Sequence, residues 1–282
     1  MSPLPALAPI EVATINENRQ RIALGDLAHE TMEVGGGVAS FSPGIDWINH
    51  ATMLGFNTDV DDSDIDAFEA FFTERGATPK LEITTFATES FLASLAARHY
   101  IIEELEHVFV RRLDPEEDPF TTMTHPPAEG LEIIPTDPGD TQACRRHAIL
   151  VMSGFMPEPI PEEHIEMGVR SIVHPRSAGF TALIDGEPVG ACGMEIFEHQ
   201  GRRAASLWGA SVAEPFRGRG VQQAMLAHRM AHALDRGCEL ALIESKPGIA
   251  TERNVARMGF TLGYARICMA KKTPASDTTK AL

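Results

Sequence analysis

The chain has 282 residues, 43% of them hydrophobic, and a formal net charge of −16. This length suffices for one large hydrophobic core or two ordinary ones. No apolar run approaches the roughly 18 residues of a membrane span, and Met1 to Pro5 lack the basic and apolar segments of a secretory signal. A cytoplasmic protein that does not engage membranes is expected. The four scattered cysteines include no CxxC pair, which favours reduced, buried thiols.

The charge is divided unevenly along the chain. Residues 1–130 hold 23 acidic and 7 basic residues, whereas residues 131–282 hold 17 of each. Nucleic acid is not expected as a partner, because phosphate neutralisation requires clustered cations. The first half would repel an anionic coenzyme, the second would tolerate one, and the whole chain would attract an amine.

The first half alternates strands and helices. Gly35-Gly36-Gly37 predicts a flexible turn, since no cation or clear helix follows it. The later predicted elements are a strand from Ala51 to Phe56, a helix capped by Asp62 or Ser63 and ending at Gly76, a strand from Leu81 to Phe86, a helix from Ser90 to Arg98, and a strand from Ile101 to Val110.

A polar, proline-broken stretch over residues 116–129 predicts a linker. In the second half, the predicted elements are a hairpin turn at 198–201, a strand from Ala205 to Val212, a helix from Gln222 to Arg236, a strand from Glu239 to Ser245, a short helix from Thr251 to Phe260, and a strand from Leu262 to Ala270. Residues 275–282 are expected to be a disordered tail.

Arg217-Gly218-Arg219-Gly220-Val221 joins the predicted strand to the helix at Gln222. Glycines let the backbone approach a ligand closely, so consecutive N–H groups can converge on phosphate oxygens. The helix dipole adds about half a positive charge there, and the two arginines add full charges. The turn therefore predicts a polyphosphate site.

The spacing differs from the usual nucleotide loops, since it contains neither G-x-G-x-x-G nor a Gly-Lys-Ser/Thr end. It resembles the acyl-coenzyme A loop of the GNAT superfamily of N-acyltransferases, Arg/Gln-x-x-Gly-x-Gly/Ala, with Arg217 and Gly220 at the matching places. Gln222 departs from the last Gly/Ala position. The ending Asn254-x-x-x-x-Gly259-Phe260 is similar to the segment that follows this loop in GNAT proteins, and the resemblance covers residues 204–272.

The resemblance implies an α/β fold of the α+β type, with a GNAT-like mixed twisted sheet and flanking helices. Residues 130–274 would form the transferase domain. Residues 1–115 are predicted to be a degenerate first copy, because residues 95–100 align with 255–260 and each segment precedes a strand ending in two cations. Any helix-then-strand unit would give a similar alignment. Residues 57–62 carry acids where the second copy has arginines, so the first copy would bind no coenzyme.

The implied activity is direct transfer of an acyl group, with acetyl from acetyl-CoA as the expected group, to a primary amine of a small molecule. The residues expected to bind acyl-CoA are Val212, Arg217, Gly218, Arg219, Gly220, Val221, Gln222 and Asn254. The resemblance also implies that the backbone N–H of Val212 stabilises the oxyanion. Glu244 and Glu195 are the candidate general bases, since a carboxylate among apolar neighbours is a good proton acceptor. Both could instead be solvent-facing strand acids.

The general acid is missing from the pattern. Many GNAT enzymes have a tyrosine at the position of Val255, and the chain has two tyrosines, Tyr100 and Tyr264. This leaves open a thioester hydrolase or decarboxylase on the same scaffold, or a non-catalytic acyl-CoA-binding or interaction module. No metal is expected, because His228 and His232 share a helix face without a third ligand. The resemblance allows a homodimer.

Overall fold

The computed structural model describes residues 7–272, so the predicted tail over 275–282 lies outside the described residues. The described helices are α1 (Pro9–Leu27), α2 (Asp62–Thr73), α3 (Glu89–Ala97), α4 (Thr141–Met152), α5 (Glu162–Val173), α6 (Val221–Asp235) and α7 (Ala250–Arg257). The described strands are β1 (Glu30–Val34), β2 (Gly37–Phe41), β3 (Ala51–Thr52), β4 (Lys80–Thr84), β5 (Tyr100–Arg112), β6 (Leu131–Pro135), β7 (Ser177–Ile184), β8 (Glu187–His199), β9 (Arg202–Val212), β10 (Leu240–Ser245) and β11 (Thr261–Lys271).

The chain divides into two compact units. The large unit combines the residues up to Leu27 with Glu106–Ala265, and the small unit combines Ala28–Leu105 with the residues from Arg266 onward. This division does not follow the predicted boundaries at 115 and 130, because α1 and residues 106–129 group with the C-terminal elements. The long strands β5 and β11 each have residues in both units.

The sheet of the large unit has the strand order β5-β10-β9-β8-β7-β6. β10 and β9 are parallel, and the other pairs are antiparallel. Helix α6 packs on one face, where Leu207 and Ile243 join its Met225 and Met230 in one core. Trp208, the neighbour of Leu207, instead packs with the residues of α4 and α5. Successive strand residues point to opposite faces, so the sheet separates α6 from α4 and α5.

The small unit has the strand order β1-β2-β3-β4-β11, with β3 and β4 parallel. Gly35 and Gly36 form the β1–β2 turn with φ of 52° and 78°, as a two-residue hairpin with two left-handed positions requires. The predicted strand from Ala51 to Phe56 ends at Thr52, because Met53 and Gly55 both have positive φ. Asp61, one residue before the expected position, caps α2.

The predicted linker packs against α6. It contains a 3₁₀ helix, Pro119–Thr122. The buried Gln223 side chain accepts hydrogen bonds from the backbone N–H groups of Thr124 (2.9 Å) and His125 (3.1 Å). Residues 119–127, here called the strap, are therefore fixed to the N-terminal turn of α6. Within the described residues, every helix falls short of the length and apolar character that crossing a bilayer demands.

Candidate functional site

The turn between β9 and α6 has the backbone geometry of an anion site. Gly218 and Gly220 have φ of 73° and 75°, and Gly220 occupies the N-cap position without a side-chain cap. The first N–H groups of a helix have no intrahelical acceptors, so they are available to a ligand along with the positive end of the dipole. Arg217 and Arg219 are exposed beside them. These residues fit the diphosphate of a coenzyme A.

The two arginines are positioned differently. The Arg217 Nε donates to the carbonyl of Val212 at 3.1 Å, which fixes the side chain across the turn. The Arg219 guanidinium lies 5.4 Å from the centroid of the Phe216 ring. Arg219 thus has the greater freedom to follow a ligand, while Arg217 also shapes the loop.

Gly220 is required by its surroundings as well as by its φ. A Cβ there would lie 2.4 Å from the carbonyl oxygen of Pro126, in the strap. A side chain at position 220 would therefore displace the strap, whatever its effect on a ligand.

A β-bulge interrupts β9 just before the loop. Ala191 pairs with Ser211 and Gly193 pairs with Trp208, so Gly209 and Ala210 together oppose Cys192. Gly209 has a φ of 58°. Such a bulge leaves a backbone group outside the ladder. Val212, the expected oxyanion donor, lies two residues beyond the bulge and pairs with Gly190.

Strands β9 and β10 separate at the end of the sheet where the bulge lies. Among the described residues, their parallel pairing runs from Ala204–Leu240 to Leu207–Ile243, although β9 continues to Val212. Glu244 is thus the first residue of β10 beyond its last partner on β9. A gap between diverging strands, beside a helix N-terminus, is an opening into which an extended ligand arm can enter.

The buried Arg229 of α6 supports the bulge. Its Nη1 donates to the carbonyls of Gly193 (3.0 Å) and Trp208 (3.3 Å), and its Nε donates to that of Met225. Burial lowers the pKa of Arg229, and no carboxylate pairs with it within the part of the chain that the structure describes. The sequence showed only an arginine on a helix, so this role was missed.

Gln222, Gln223 and Asn254 form an amide network at the start of α6. The Asn254 Nδ2 donates to Gln222 Oε1 at 2.5 Å, and Gln222 Nε2 donates to Thr251 at 3.1 Å. Gln223 Nε2 lies 3.4 Å from Asn254 Oδ1. Gln222, which departs from the expected Gly/Ala, therefore ties α6 to α7. The Asn254 side chain is engaged by the protein.

The two candidate bases share one face of the sheet and one partner. Arg19 of α1 lies 3.1 Å from Glu244 and 3.9 Å from Glu195. Glu195 also receives a hydrogen bond from the Arg176 Nε at 2.8 Å, and Glu244 receives one from Asn16 at 2.8 Å. The sequence suggested apolar neighbours for both glutamates, whereas the structure shows charged and polar ones. Arg19 and Asn16 come from helix α1, whose residues the sequence assigned to the other half, and Arg176 precedes β7.

The tyrosine nearest to Glu244 is held in the same polar group. The Tyr264 hydroxyl donates to Glu17 and accepts from Asn16 at 3.0 Å. Val255, at the place of the family tyrosine, is buried in the core. The geometry thus identifies no general acid at the expected position.

The histidine pair of α6 packs against an aromatic ring. The rings of His228 and His232 lie 4.8 and 5.2 Å from that of Phe180, nearly edge-on. Burial lowers the pKa of both. No group of three potential metal ligands occurs among residues 7–272.

Comparisons with known proteins agree with this geometry. Residues 149–260 match the sequence model of the acetyltransferase (GNAT) family. That range contains the bulge, the loop and both candidate bases. A comparison with curated proteins gives no significant match.

Solved structures with a similar fold extend over nearly the whole chain. A GCN5-related N-acetyltransferase from Kribbella flavida has a TM-score of 0.66 at 12% identity, covering 95% of this chain and 97% of that chain. A tandem GNAT protein from the clavulanic acid biosynthesis pathway has a TM-score of 0.60 at 14% identity, covering 95% and 98%. A GCN5-related N-acetyltransferase from Sphaerobacter thermophilus has a TM-score of 0.55 at 17% identity, covering 79% and 71%.

Such low identities establish the fold alone. They confirm the GNAT-like α/β architecture, and together with the family match they confirm the resemblance to the GNAT superfamily.

Proposed function

We propose that this chain, which carries a GNAT domain over residues 149–260, is an acyl-CoA-dependent N-acyltransferase. It would move an acyl group, most simply acetyl, directly to a primary amine of a small molecule. The transferase would be built on residues 130–274 with polar side chains from α1. Residues 1–115 would be a degenerate GNAT-like copy apart from these contributions.

The observation that carries the proposal is the combination of loop and strand gap. The uncapped α6 N-terminus, two left-handed glycines and exposed Arg217 and Arg219 suit a diphosphate. The separation of β9 from β10 begins after Leu207, on the strand that leads into this loop. A coenzyme whose phosphates lie on the loop could therefore extend its pantetheine arm between the strands.

Coenzyme A would supply the activated thioester, and this chain would orient it and handle the protons. Backbone N–H groups from the bulge to Val212 are proposed to face the thioester carbonyl, where they would stabilise negative charge. The acceptor amine must lose a proton and the leaving sulfur must gain one. Glu244 is the preferred proton acceptor because it lies at the opening, whereas two guanidinium groups hold Glu195.

The acidic chain favours a cationic acceptor. With a net charge of −16, it would attract an amine over long range. Asn254 and Gln222 are proposed to approach the coenzyme only if their mutual hydrogen bond rearranges.

The test is the release of free thiol from acetyl-CoA, measured with and without a panel of small primary amines. Release that depends on an amine, together with mass spectrometric detection of the acylated amine, would support transfer. Release without an amine would instead indicate a thioester hydrolase or a decarboxylase. Saturable coenzyme binding without release would indicate a non-catalytic module.

A further inference from the structure

A cavity lies in the large unit, away from the candidate coenzyme loop. It has a volume of about 440 Å³, within the roughly 300–1,000 Å³ typical of small-molecule sites. It lies where β6 ends, where β7 begins, and beside the C-terminal turn of α6. Its lining includes the polar residues Arg203, His232 and Arg236 and the apolar residues Ile172, Phe180 and Ile196.

The cavity and the coenzyme loop lie at opposite ends of the same elements. β9 runs from Arg203 at the cavity to Val212 at the loop, which at about 3.3 Å per residue is roughly 30 Å. α6 returns from Val221 at the loop to the cavity, roughly 20 Å at about 1.5 Å per residue. One coenzyme phosphate group cannot contact both places, so the cavity is a separate site.

The charges around the cavity are positive in an otherwise acidic protein. None of the described residues that line it is acidic. Arg176 is occupied by Asp26 and Glu195, at 2.7 and 2.8 Å. Arg203 lies 4.0 Å from Glu198 and donates to the backbone carbonyl of Arg236 at 2.9 Å.

Arg236 differs from these two residues, because no carboxylate in the described part of the chain pairs with its guanidinium. Of the guanidinium groups that line the cavity, that of Arg236 therefore has no carboxylate partner among the described residues, and that of Arg203 meets Glu198 only at 4.0 Å. This is what a site for an anion requires, since guanidinium groups bind carboxylate and phosphate oxygens through directed hydrogen bonds.

The apolar lining narrows the class of anion. Ile196 is partly exposed and borders the cavity together with Phe180 and Ile172, which are buried. Such a wall gives no hydrogen bonds to the remaining oxygens of an inorganic ion, but it shelters hydrocarbon from water. We propose that this cavity binds a small organic carboxylate, with the acid group on Arg236 and Arg203 and an apolar body against Ile196.

Benzoate is the test ligand, and benzamide is its uncharged match in shape. Isothermal titration calorimetry of the full chain should show saturable binding of benzoate and much weaker binding of benzamide. Equal binding of the two would show that the cavity recognises only apolar surface and would overturn the proposal. One charged contact and a sheltered ring should give a dissociation constant of about 20 mM or lower. The absence of saturable benzoate binding up to about that concentration would therefore overturn the proposal as well.

The variant Arg236→Gln tests the cation. It should weaken benzoate binding about tenfold or more, the usual effect of losing a charge-assisted hydrogen bond. Arg202→Gln is the control, because it makes the same charge change on β9 outside the cavity, where Arg202 lies 3.6 Å from Glu239 on the surface. Equal losses in the two variants would mean that only the net charge matters, which would overturn the site.

Two competitors separate this inference from the proposed function. Saturating coenzyme A should leave benzoate bound, since the two sites are distinct; displacement would place benzoate on the coenzyme loop and overturn the cavity site. Inorganic phosphate should bind at least tenfold more weakly than benzoate, because it gains nothing from the apolar wall. Equal phosphate binding would overturn the assignment to an organic carboxylate. None of these results depends on acyl transfer.

Discussion

At the scale of single residues, two glutamates with the same chemistry differ in their surroundings. Glu195 is 6% exposed and lies between two arginines, whereas Glu244 lies at the end of the β9–β10 pairing. The sequence could nominate both because each follows apolar strand residues. It could not separate them, since Arg19 of α1 contacts both and the arginine that contacts Glu195 alone, Arg176, comes from the turn before β7.

Glu244→Gln should slow amine acylation at least about a hundredfold near neutral pH, because general-base assistance is typically worth 10²–10⁴-fold. The deficit should shrink as the pH rises and more amine arrives deprotonated. The measurement is the steady-state rate at saturating acceptor, with coenzyme affinity expected to stay within about threefold. Glu195→Gln is the matched control. A Glu244 variant that keeps over half the parent rate would remove it as the base.

Arg219→Glu should weaken coenzyme A binding about tenfold or more, since an exposed cation on the loop becomes an anion. Calorimetry with coenzyme A measures this, and Arg146→Glu on the exposed side of α4 is the control. This change is cleaner than Gly220→Asp, whose Cβ would meet the strap at 2.4 Å and alter the fold. Equal affinity in the two arginine variants would remove the loop from the proposed site.

At the scale of elements, α6 does more than present its N-terminus. Its Arg229 reaches across to the two strands whose register changes at the bulge. The helix therefore links the loop to the backbone groups proposed to face the thioester. This link depends on a side chain that any sequence pattern would assign to the solvent-facing side of a helix.

Arg229→Met should lower the rate of acyl transfer about tenfold or more, because small misplacements of catalytic groups are costly. Coenzyme affinity should change less than about threefold, since Arg229 does not contact the loop. A lower turnover rate with nearly unchanged coenzyme affinity distinguishes this outcome from simple unfolding, which would lower both. Arg229→Lys should recover part of the rate. Unchanged turnover in a folded Arg229→Met variant would contradict the role of Arg229 in positioning the bulge.

The turn before α2, in the first half of the chain, is expected to play no part in coenzyme binding. Asp61→Arg should leave coenzyme affinity unchanged, because no coenzyme is proposed to bind there. It should lower the thermal midpoint slightly, since Asp61 accepts hydrogen bonds from the N–H groups of Ser63 and Asp64 and its ionised form caps the helix. The hydrogen bond from the Ser63 hydroxyl, at 2.6 Å, lowers the pKa of Asp61 most, and the backbone bonds lower it further. Asp59→Arg repeats the charge change without the cap, and a large change of affinity in both would contradict the degenerate-copy hypothesis.

At the scale of the whole molecule, stability should depend on pH through a buried histidine. His147 is fully buried, its Nδ1 lies 2.9 Å from the Thr136 hydroxyl, and burial lowers its pKa to about 4 from 6.5. The unfolded chain binds a proton as the pH falls through 6.5, while the folded chain resists protonation until about 4. The folded state therefore loses stability across this window as the pH falls.

The free energy of unfolding should thus fall by about 2 kcal/mol more in the parent than in His147→Gln between pH 7 and pH 5. Denaturant titrations at the two pH values measure it, and the exposed His29→Gln serves as the control. Identical pH dependence in the parent and both variants would show that His147 is protonated equally in both states.

The sequence predicted all four thiols to be buried, and the structure shows the limit of composition at this scale. Cys144, Cys192 and Cys238 are buried, and burial raises the pKa of each. Cys268 is partly exposed, although its strand is equally apolar in sequence. Local hydrophobicity predicts burial on average, but the sheet face decides each case.

The sequence by itself determined the order of elements from residue 198 to residue 270 and the strand–turn–helix motif with its glycines and arginines. These are local features, set by periodicity, by turn residues and by backbone freedom, so adjacent residues suffice to reveal them. Tertiary structure decided that Arg19 joins the two glutamates, that the strap covers Gly220, and that Arg229 supports the bulge. Each of these joins residues far apart in the chain, and a long-range contact leaves no periodic trace in a single sequence.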